Sequence, residues 1–245
     1  MNSTGILFLH RFGGSARSYD PVIARLDTGL ETAAPDLPGF GLAANSPEPF
    51  DVAAYADFAG AALLAMASQQ VLVVGHSMGG KVALALAARL PARLAGLMLL
   101  SPSPPTAEPM SPDDRAAALA GWGDRAYIEA TLARNTATPL SSDIRRIEID
   151  GMLQTSALAW QAWFAVGSCE DISAAMANVY APTTILCGTA DRTIPLEVQR
   201  REVAARLRGA VVAEVSGAGH LLPIEAPDAV AAAIAALVKQ AAPLS

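Results

Sequence analysis

The chain has little of what metal sites, disulfide scaffolds and polyanion binders are made from. Its 245 residues include two cysteines and three histidines. Cys169 falls in a loop and Cys187 in an apolar strand, with no metal-ligand spacing between them, so both are expected as free, buried thiols. His10, His76 and His220 lie far apart, which argues against a zinc site. Basic blocks are missing too: 17 Lys and Arg against 23 Asp and Glu give a net charge of −6 and a pI near 5.0. That balance argues against nucleic-acid binding and polybasic membrane attachment. No apolar run approaches the ~18 residues a membrane helix needs. Met1-Asn2-Ser3-Thr4 carries no basic region, and Gly5 to Leu9 is too short for a signal-peptide core. The expectation is a cytoplasmic protein with neither membrane nor nucleic-acid partners.

What remains is ample for a core. The hydrophobic fraction is 52%, with a mean hydropathy of +0.34, and its runs are short and punctuated. Apolar segments Gly5–Leu9, Leu30–Ala34, Val71–Val74, Gly96–Leu100, Thr183–Cys187 and Val211–Val215 read as strands, with helical segments between most of them. Among the helices, Asp20 to Leu26 has Asp20 as N-cap and Pro21 at the first position. Asp51 caps a long helix to about Ala67, with Val52, Tyr55, Phe58, Ala62 and Met66 at helical spacing. The alternation predicts a parallel sheet of about six strands with helices on both faces.

Between Leu100 and Thr183 the alternation stops. The pattern there is all helical, with starts at Ser111-Pro112, Gly123-Asp124 and Ser141-Ser142. This divides the chain into a core of residues 1–104 and 179–245 and a helical lid, or cap, of residues 105–178. An insertion after a strand's C-terminal end sits over the edge where α/β proteins build their sites.

The stretch Val71-Leu72-Val73-Val74-Gly75-His76-Ser77-Met78-Gly79-Gly80, followed by the helical run Lys81 to Leu90, is a strand, a tight turn and a helix. Gly75 and Gly79 flank Ser77 in a G-x-S-x-G pattern, which in that setting lifts a serine hydroxyl above the sheet. A serine nucleophile needs a base, usually a histidine held by a carboxylate. His76 adjoins Ser77 and would diverge from it, whereas His220 lies in the Gly-rich loop Ser216-Gly217-Ala218-Gly219-His220 at the same sheet edge. Asp191 follows the neighbouring strand in Gly188-Thr189-Ala190-Asp191-Arg192. The other position that could carry the acid reads Ser101-Pro102-Ser103-Pro104 and has none. An oxyanion needs fixed donors: the Met78 N–H at the helix start, and the Phe12 N–H in the loop His10 to Gly14.

Taken together, His10-Arg11-Phe12-Gly13-Gly14-Ser15, Asp36-Leu37-Pro38-Gly39-Phe40-Gly41, Gly75–Gly80, Gly188–Asp191, and Gly219-His220 with Glu225-Ala226-Pro227 resemble the α/β-hydrolase superfamily, in its group of small, lid-bearing serine hydrolases. The resemblance implies the triad Ser77, Asp191 and His220, with no metal and no cofactor. It leaves the substrate open. Ester, lactone or thioester hydrolysis leads. Carbon–carbon bond hydrolysis, lyase or perhydrolase chemistry with the same triad is the alternative, and a ligand-binding signalling protein on a hydrolase scaffold is an alternative of another class. Haloalkane dehalogenases and epoxide hydrolases of this fold attack with aspartate, so Ser77 argues against both.

Two departures from the family pattern stand out. The family usually begins with an antiparallel hairpin, whereas here Gly5 already starts the first parallel strand, so a sheet of about six strands, all parallel and without that hairpin, is expected. Arg11 replaces the glycine of the usual His-Gly pair; it either points to solvent or sets a guanidinium near the pocket, favouring an anionic substrate, and a positive φ there would cost about 1–2 kcal/mol. Aromatics are sparse at 5%, yet Trp122, Trp160 and Trp163 all fall in the insertion. With Tyr127, Phe164 and Met152 they suggest an apolar ceiling over Ser77, suited to a small acyl substrate that is apolar or aromatic in part. Glu225 and Lys81 read as structural, Lys81 as a helix-surface charge.

Overall fold

Short runs such as Val71–Val74, apolar at every position, have no polar face to turn to water, so they form strands covered on both sides. In the computed structural model, which describes residues 4–89 and 92–241, the central runs do so in a sheet of six strands in the order β2-β1-β3-β4-β5-β6, whose two edge strands stay part-exposed. The strands are β1 (Thr4–Leu9), β2 (Thr32–Ala33), β3 (Gln70–His76), β4 (Leu94–Leu100), β5 (Thr183–Gly188) and β6 (Val211–Val215), and every pairing is parallel. No antiparallel strand precedes β1 among the described residues. Met1–Ser3, part of the stretch read for a targeting segment, and Leu90, the end of the run after Ser77, lie outside them, as do Pro91 and residues 242–245.

Alternation along each strand divides the core in two. Leu7, Leu9, Val73, Leu97, Leu99 and Ile185 face one way, onto α2 (Val52–Ala65), α3 (Met78–Ala87) and the insertion. Ile6, Phe8, Leu72, Val74, Met98 and Leu100 face the other, onto Tyr19, Val22 of the short α1 (Asp20–Ile23), and Val230, Ile234 and Leu237 of α10 (Pro227–Ala241). Asp20 is the first residue of α1 rather than its N-cap; a 3₁₀ turn over Ala16–Tyr19 runs straight into it. Asp51 does cap α2, its carboxylate accepting from the Ala54 N–H at 2.7 Å.

The order reverses between β1 and β3: the chain leaves β1 for the β2 edge, then returns to the other side of β1. Loops after the two strands diverge there and leave a crevice at their C-terminal ends. The loop after β1 contains Arg11 and Phe12, and the turn after β3 contains Ser77.

Between β4 and β5 come α4 (Pro112–Ala120), α5 (Arg125–Asn135), α6 (Ser142–Leu153) and α7 (Ala157–Ala162), the last continuing into a π-helical turn over Trp163–Gly167. Ser111, Asp124, Ser141 and Ser156 cap them with side-chain bonds to free first-turn N–H groups. Lys81 ties this layer to the core. It is not the surface charge expected: it is fully buried, its ammonium donating to the Thr106 carbonyl at 3.1 Å and the Glu170 carbonyl at 2.5 Å, where the insertion leaves and rejoins the core. Burial lowers its pKa. The later short helices are α8 (Leu196–Val198) and α9 (Leu222–Glu225). Cys187 is buried as expected, but Cys169 is exposed; both are free.

Candidate active site

The turn after β3 is possible only with its glycines. A Cβ on Gly75 would overlap the Gly79 carbonyl, and one on Gly79 would overlap the Leu9 carbonyl. With helix α3 pressed that close to β1 and β3, Ser77 takes φ 51° and ψ −117°, a conformation outside the ordinary regions for an L residue. Its own carbonyl is held by the N–H groups of Gly80 at 2.8 Å and Ser103 at 2.9 Å. Its hydroxyl has no hydrogen-bond partner among the described residues and faces a cavity of about 320 Å³.

His220 lines the same cavity. Its Nδ1–H donates to Asp191 Oδ2 at 2.8 Å, which leaves Nε2 as the free acceptor of the ring. Asp191 Oδ1 accepts from the Thr193 and Ile194 N–H groups at 2.8 and 3.0 Å. Burial pushes the Asp191 carboxyl up, but the His220 ring and the Ile194 N–H outweigh it and hold the group below the usual carboxylate range. The His220 loop is itself fixed. Its backbone N–H donates to the Asn135 carbonyl at 2.8 Å, and Glu225 accepts from the N–H groups of Leu221 at 3.0 Å and Ala137 at 2.7 Å. Glu225 is therefore a strut between the loop and the end of α5.

The other two histidines are structural. His76 Nε2–H donates to the His220 carbonyl at 2.8 Å, and burial holds its pKa far below the ordinary value. His10 Nδ1–H donates to the Arg11 carbonyl at 2.7 Å and its Nε2 accepts from the Leu37 N–H at 2.9 Å; burial lowers its pKa to about 4. His10 thereby joins the loop after β1 to the Asp36–Gly41 loop. There Asp36 accepts from the Ala16 and Leu42 N–H groups, at 2.6 and 2.7 Å.

Met78 and Phe12 have backbone N–H groups that donate to no protein acceptor among the described residues. The Phe12 ring packs on Trp160, Trp163 and Phe164 at centroid distances of 5.0, 6.4 and 4.8 Å. Trp160 and Trp163 line the cavity, but Trp122 does not: it is 47% exposed, and its indole N–H donates to the Thr155 carbonyl outside the pocket. Arg11 also lines the cavity, the second of the two placements expected for it. It is 4% exposed rather than solvated, it is not at positive φ, and its guanidinium pairs with the equally buried Glu148 of α6. The left-handed residue of that loop is Gly13, at φ 65°.

Some cavity residues escape a reading of the sequence, Glu108 among them. Glu108 faces the pocket, accepts a hydrogen bond from the Ser103 hydroxyl, and has its pKa raised by burial. It lies just beyond Ser101–Pro104, and no local pattern marks it. No cluster of three metal-ligating side chains occurs among the described residues, and no described helix is long and apolar enough to cross a membrane.

A parallel sheet whose strand–turn–helix carries a strained serine, with a buried Asp–His pair at the neighbouring strand ends, defines the α/β hydrolases. The chain belongs to the alpha/beta hydrolase family, whose sequence model matches residues 6–233. Among curated proteins, pimeloyl-[acyl-carrier protein] methyl ester esterase of Aromatoleum aromaticum is 29% identical, over 98% of this chain and all of that one. The Neisseria meningitidis enzyme of the same name is 38% identical, but the match spans only 38% of this chain and 34% of that one. Among solved structures, bromoperoxidase from Bacillus anthracis superposes with a TM-score of 0.88 at 18% identity, covering 98% of this chain and 92% of that one. An esterase from Exiguobacterium antarcticum gives 0.87 at 17% identity, covering 98% and 93%. At such identities these two bear on the fold alone.

Proposed function

We propose that this chain hydrolyses a small carboxylic ester, lactone or thioester through an acyl-enzyme on Ser77. The observation that carries the reading is the 2.8 Å His220–Asp191 pair, which leaves the His220 Nε2 acceptor on the wall of the cavity that Ser77 faces. Ser77 Oγ attacks the carbonyl carbon and its proton passes to His220 Nε2. Asp191, kept ionised, steadies the imidazolium. The tetrahedral oxyanion is held by the N–H groups of Phe12 and Met78, each worth on the order of 3 kcal/mol at such a site. Collapse expels the alcohol or thiol, which takes the proton from His220. Water then gives a proton to His220, attacks the acyl carbon, and releases a carboxylic acid as Ser77 regains its proton. No step needs a cofactor, and the enzyme is read as cytoplasmic.

The cavity volume suits a small acyl group, and Phe12, Trp160, Trp163 and Phe164 offer it an apolar, aromatic wall. An anionic preference through Arg11 loses its basis, because Glu148 cancels that charge. The full-length Aromatoleum relative is named for a methyl ester, which puts methyl esters first among substrates to assay. The same triad could also serve carbon–carbon, lyase or perhydrolase chemistry, and no observation favours these over ester hydrolysis.

The test uses short p-nitrophenyl and methyl esters with wild type and Ser77→Ala. Turnover by wild type and a loss of at least about 10³-fold in Ser77→Ala are expected. Two inactive proteins across a broad ester panel would sink the hydrolase reading in favour of a binding protein. Hydrolysis surviving in Ser77→Ala would sink the nucleophile assignment.

A further inference from the structure

Several contacts converge on the peptide unit between Arg11 and Phe12. The Arg11 carbonyl accepts from His10 Nδ1–H at 2.7 Å and from the Gly14 N–H at 3.0 Å. A trans peptide directs its N–H opposite to its C=O, so these two bonds aim the Phe12 N–H the other way. The side chains on either side of this peptide both reach into the insertion. The Arg11 guanidinium pairs with Glu148 of α6 and donates to the Phe12 carbonyl at 2.7 Å, while the Phe12 ring sits among Trp160, Trp163 and Phe164. Gly13 is packed against Met152 of the same helix, and Glu148 also accepts from the Ser18 hydroxyl at 3.5 Å.

We propose that Arg11 and Glu148 are positioning residues through which the cap sets the orientation of the Phe12 N–H, so that the oxyanion hole is complete only when α6 is seated. The proposal rests on the hydrolase reading above. A buried guanidinium that loses its carboxylate is strongly disfavoured where it stands. Arg11 would have to swing to water, and because its side chain also holds the Phe12 carbonyl, the loop would move with it. A pair that only stabilised the cap would lower the melting temperature when broken and leave the balance between substrate and transition-state binding alone.

The experiment compares wild type with Glu148→Gln, Glu148→Asp, Arg11→Gly and the Arg11→Gly/Glu148→Gln double variant. It reads kcat and KM on a short ester, inhibition by an alkyl trifluoromethyl ketone, and amide hydrogen exchange over residues 10–14. Glu148→Gln should lower kcat about 10–100-fold with KM within about twofold, and should weaken the ketone, whose adduct with Ser77 carries the oxyanion, by the same factor. Glu148→Asp, one methylene short but still charged, should lose less, and it carries the same split if Glu148→Gln does not fold. The double variant should lose no more than the worse single change. The loop amides should exchange at least about tenfold faster in Glu148→Gln.

A folded Glu148→Gln with unchanged kcat, or with a lowered melting temperature as its only defect, overturns the proposal. If wild type hydrolyses nothing, the hydrolase reading falls on its own, and the exchange data still decide the positioning: equal loop exchange in wild type and Glu148→Gln overturns it.

Discussion

Asp191→Asn should abolish nearly all turnover without unfolding the protein, because two backbone N–H groups dictate which way the new amide faces. Asp191 Oδ1 accepts from Thr193 and Ile194 at 2.8 and 3.0 Å, and Oδ2 accepts from His220 at 2.8 Å. An asparagine can keep both loop bonds only by leaving its oxygen at the Oδ1 position. Its NH₂ group then occupies the Oδ2 position and confronts His220 Nδ1 as a donor. Nδ1 must become the acceptor, the ring's proton moves to Nε2, and Nε2 can no longer take the proton of Ser77. The same inversion in a trypsin-type triad costs about 10⁴ in kcat, and about 10³–10⁴ is expected here, or roughly 4–5.5 kcal/mol of transition-state stabilisation. The loop bonds survive with a neutral acceptor in place of a charged one, at a cost of about 1 kcal/mol. For a chain of this size that is a fall of about 2–4 °C in melting temperature. The assay is kcat/KM on a p-nitrophenyl ester beside a thermal melt. A folded variant retaining more than a tenth of wild-type kcat/KM would refute the tautomer argument, and with it the assignment of Asp191.

Other perturbations act through the buried histidines and the strand ends. In the unfolded chain His10 takes its proton near pH 6.5, but in the folded protein only near pH 4, because burial disfavours the cation and Nε2 is occupied by the Leu37 N–H. Between those values the unfolded state holds the extra proton. Stability therefore falls as pH drops, at up to about 1.4 kcal/mol per unit, or about 2 kcal/mol for His10 by pH 5. His76, also depressed by burial, steepens the same slope. Urea unfolding from pH 7.5 to 4.5 reads this directly, and a free energy flat between pH 7 and 5 would contradict it. Gly188→Ala should act at a distance from Ser77: its Cβ would overlap the carbonyls of Ala218 and Gly219, and the loop that carries His220 must give way. A displacement near 1 Å at a base costs about 10²-fold, so kcat/KM on a short ester should fall by that order while the melt stays cooperative; unchanged kcat/KM would show the loop absorbing the methyl.

The parts of the site legible in the sequence are those whose geometry is local or follows from strand order. Gly75, Ser77 and Gly79 bracket one turn between a β-type run and a helix, so the elbow is written in consecutive residues. Asp191 and His220 sit just past strands, and parallel alternation sends all such positions to one edge. Arg11 is a different case. Its partner Glu148 is 137 residues away, on a helix whose rotation no nearby residue specifies, and a lone arginine in a loop gives no sign of burial. Lys81 departs from expectation for the same reason: α3 alone does not show that the Thr106 and Glu170 carbonyls, from opposite ends of the insertion, meet its ammonium. The tryptophans divide along this line too. Helical periodicity in an all-α insertion says which residues share a face but not which face meets the core, so Trp160 is fully buried while Trp122 is 47% exposed.

The two proposed oxyanion donors thus have different structural origins. Met78 is fixed by the elbow itself, through the helix start and the glycines packed on β1. Phe12 lies in a loop whose glycine-rich tail could adopt other conformations, and what limits it comes from outside the core: the His10 bond on one side, and the Glu148 carboxylate and the Trp160–Phe164 cluster on the other. A core that specified both donors would leave the insertion only the task of shaping the pocket. Because the loop after β1 draws its contacts from α6 and from Trp160, Trp163 and Phe164, the proposed mechanism gives the insertion one half of the oxyanion site as well. Substitutions in those helices can therefore alter kcat and acyl preference together, without touching Ser77, Asp191 or His220.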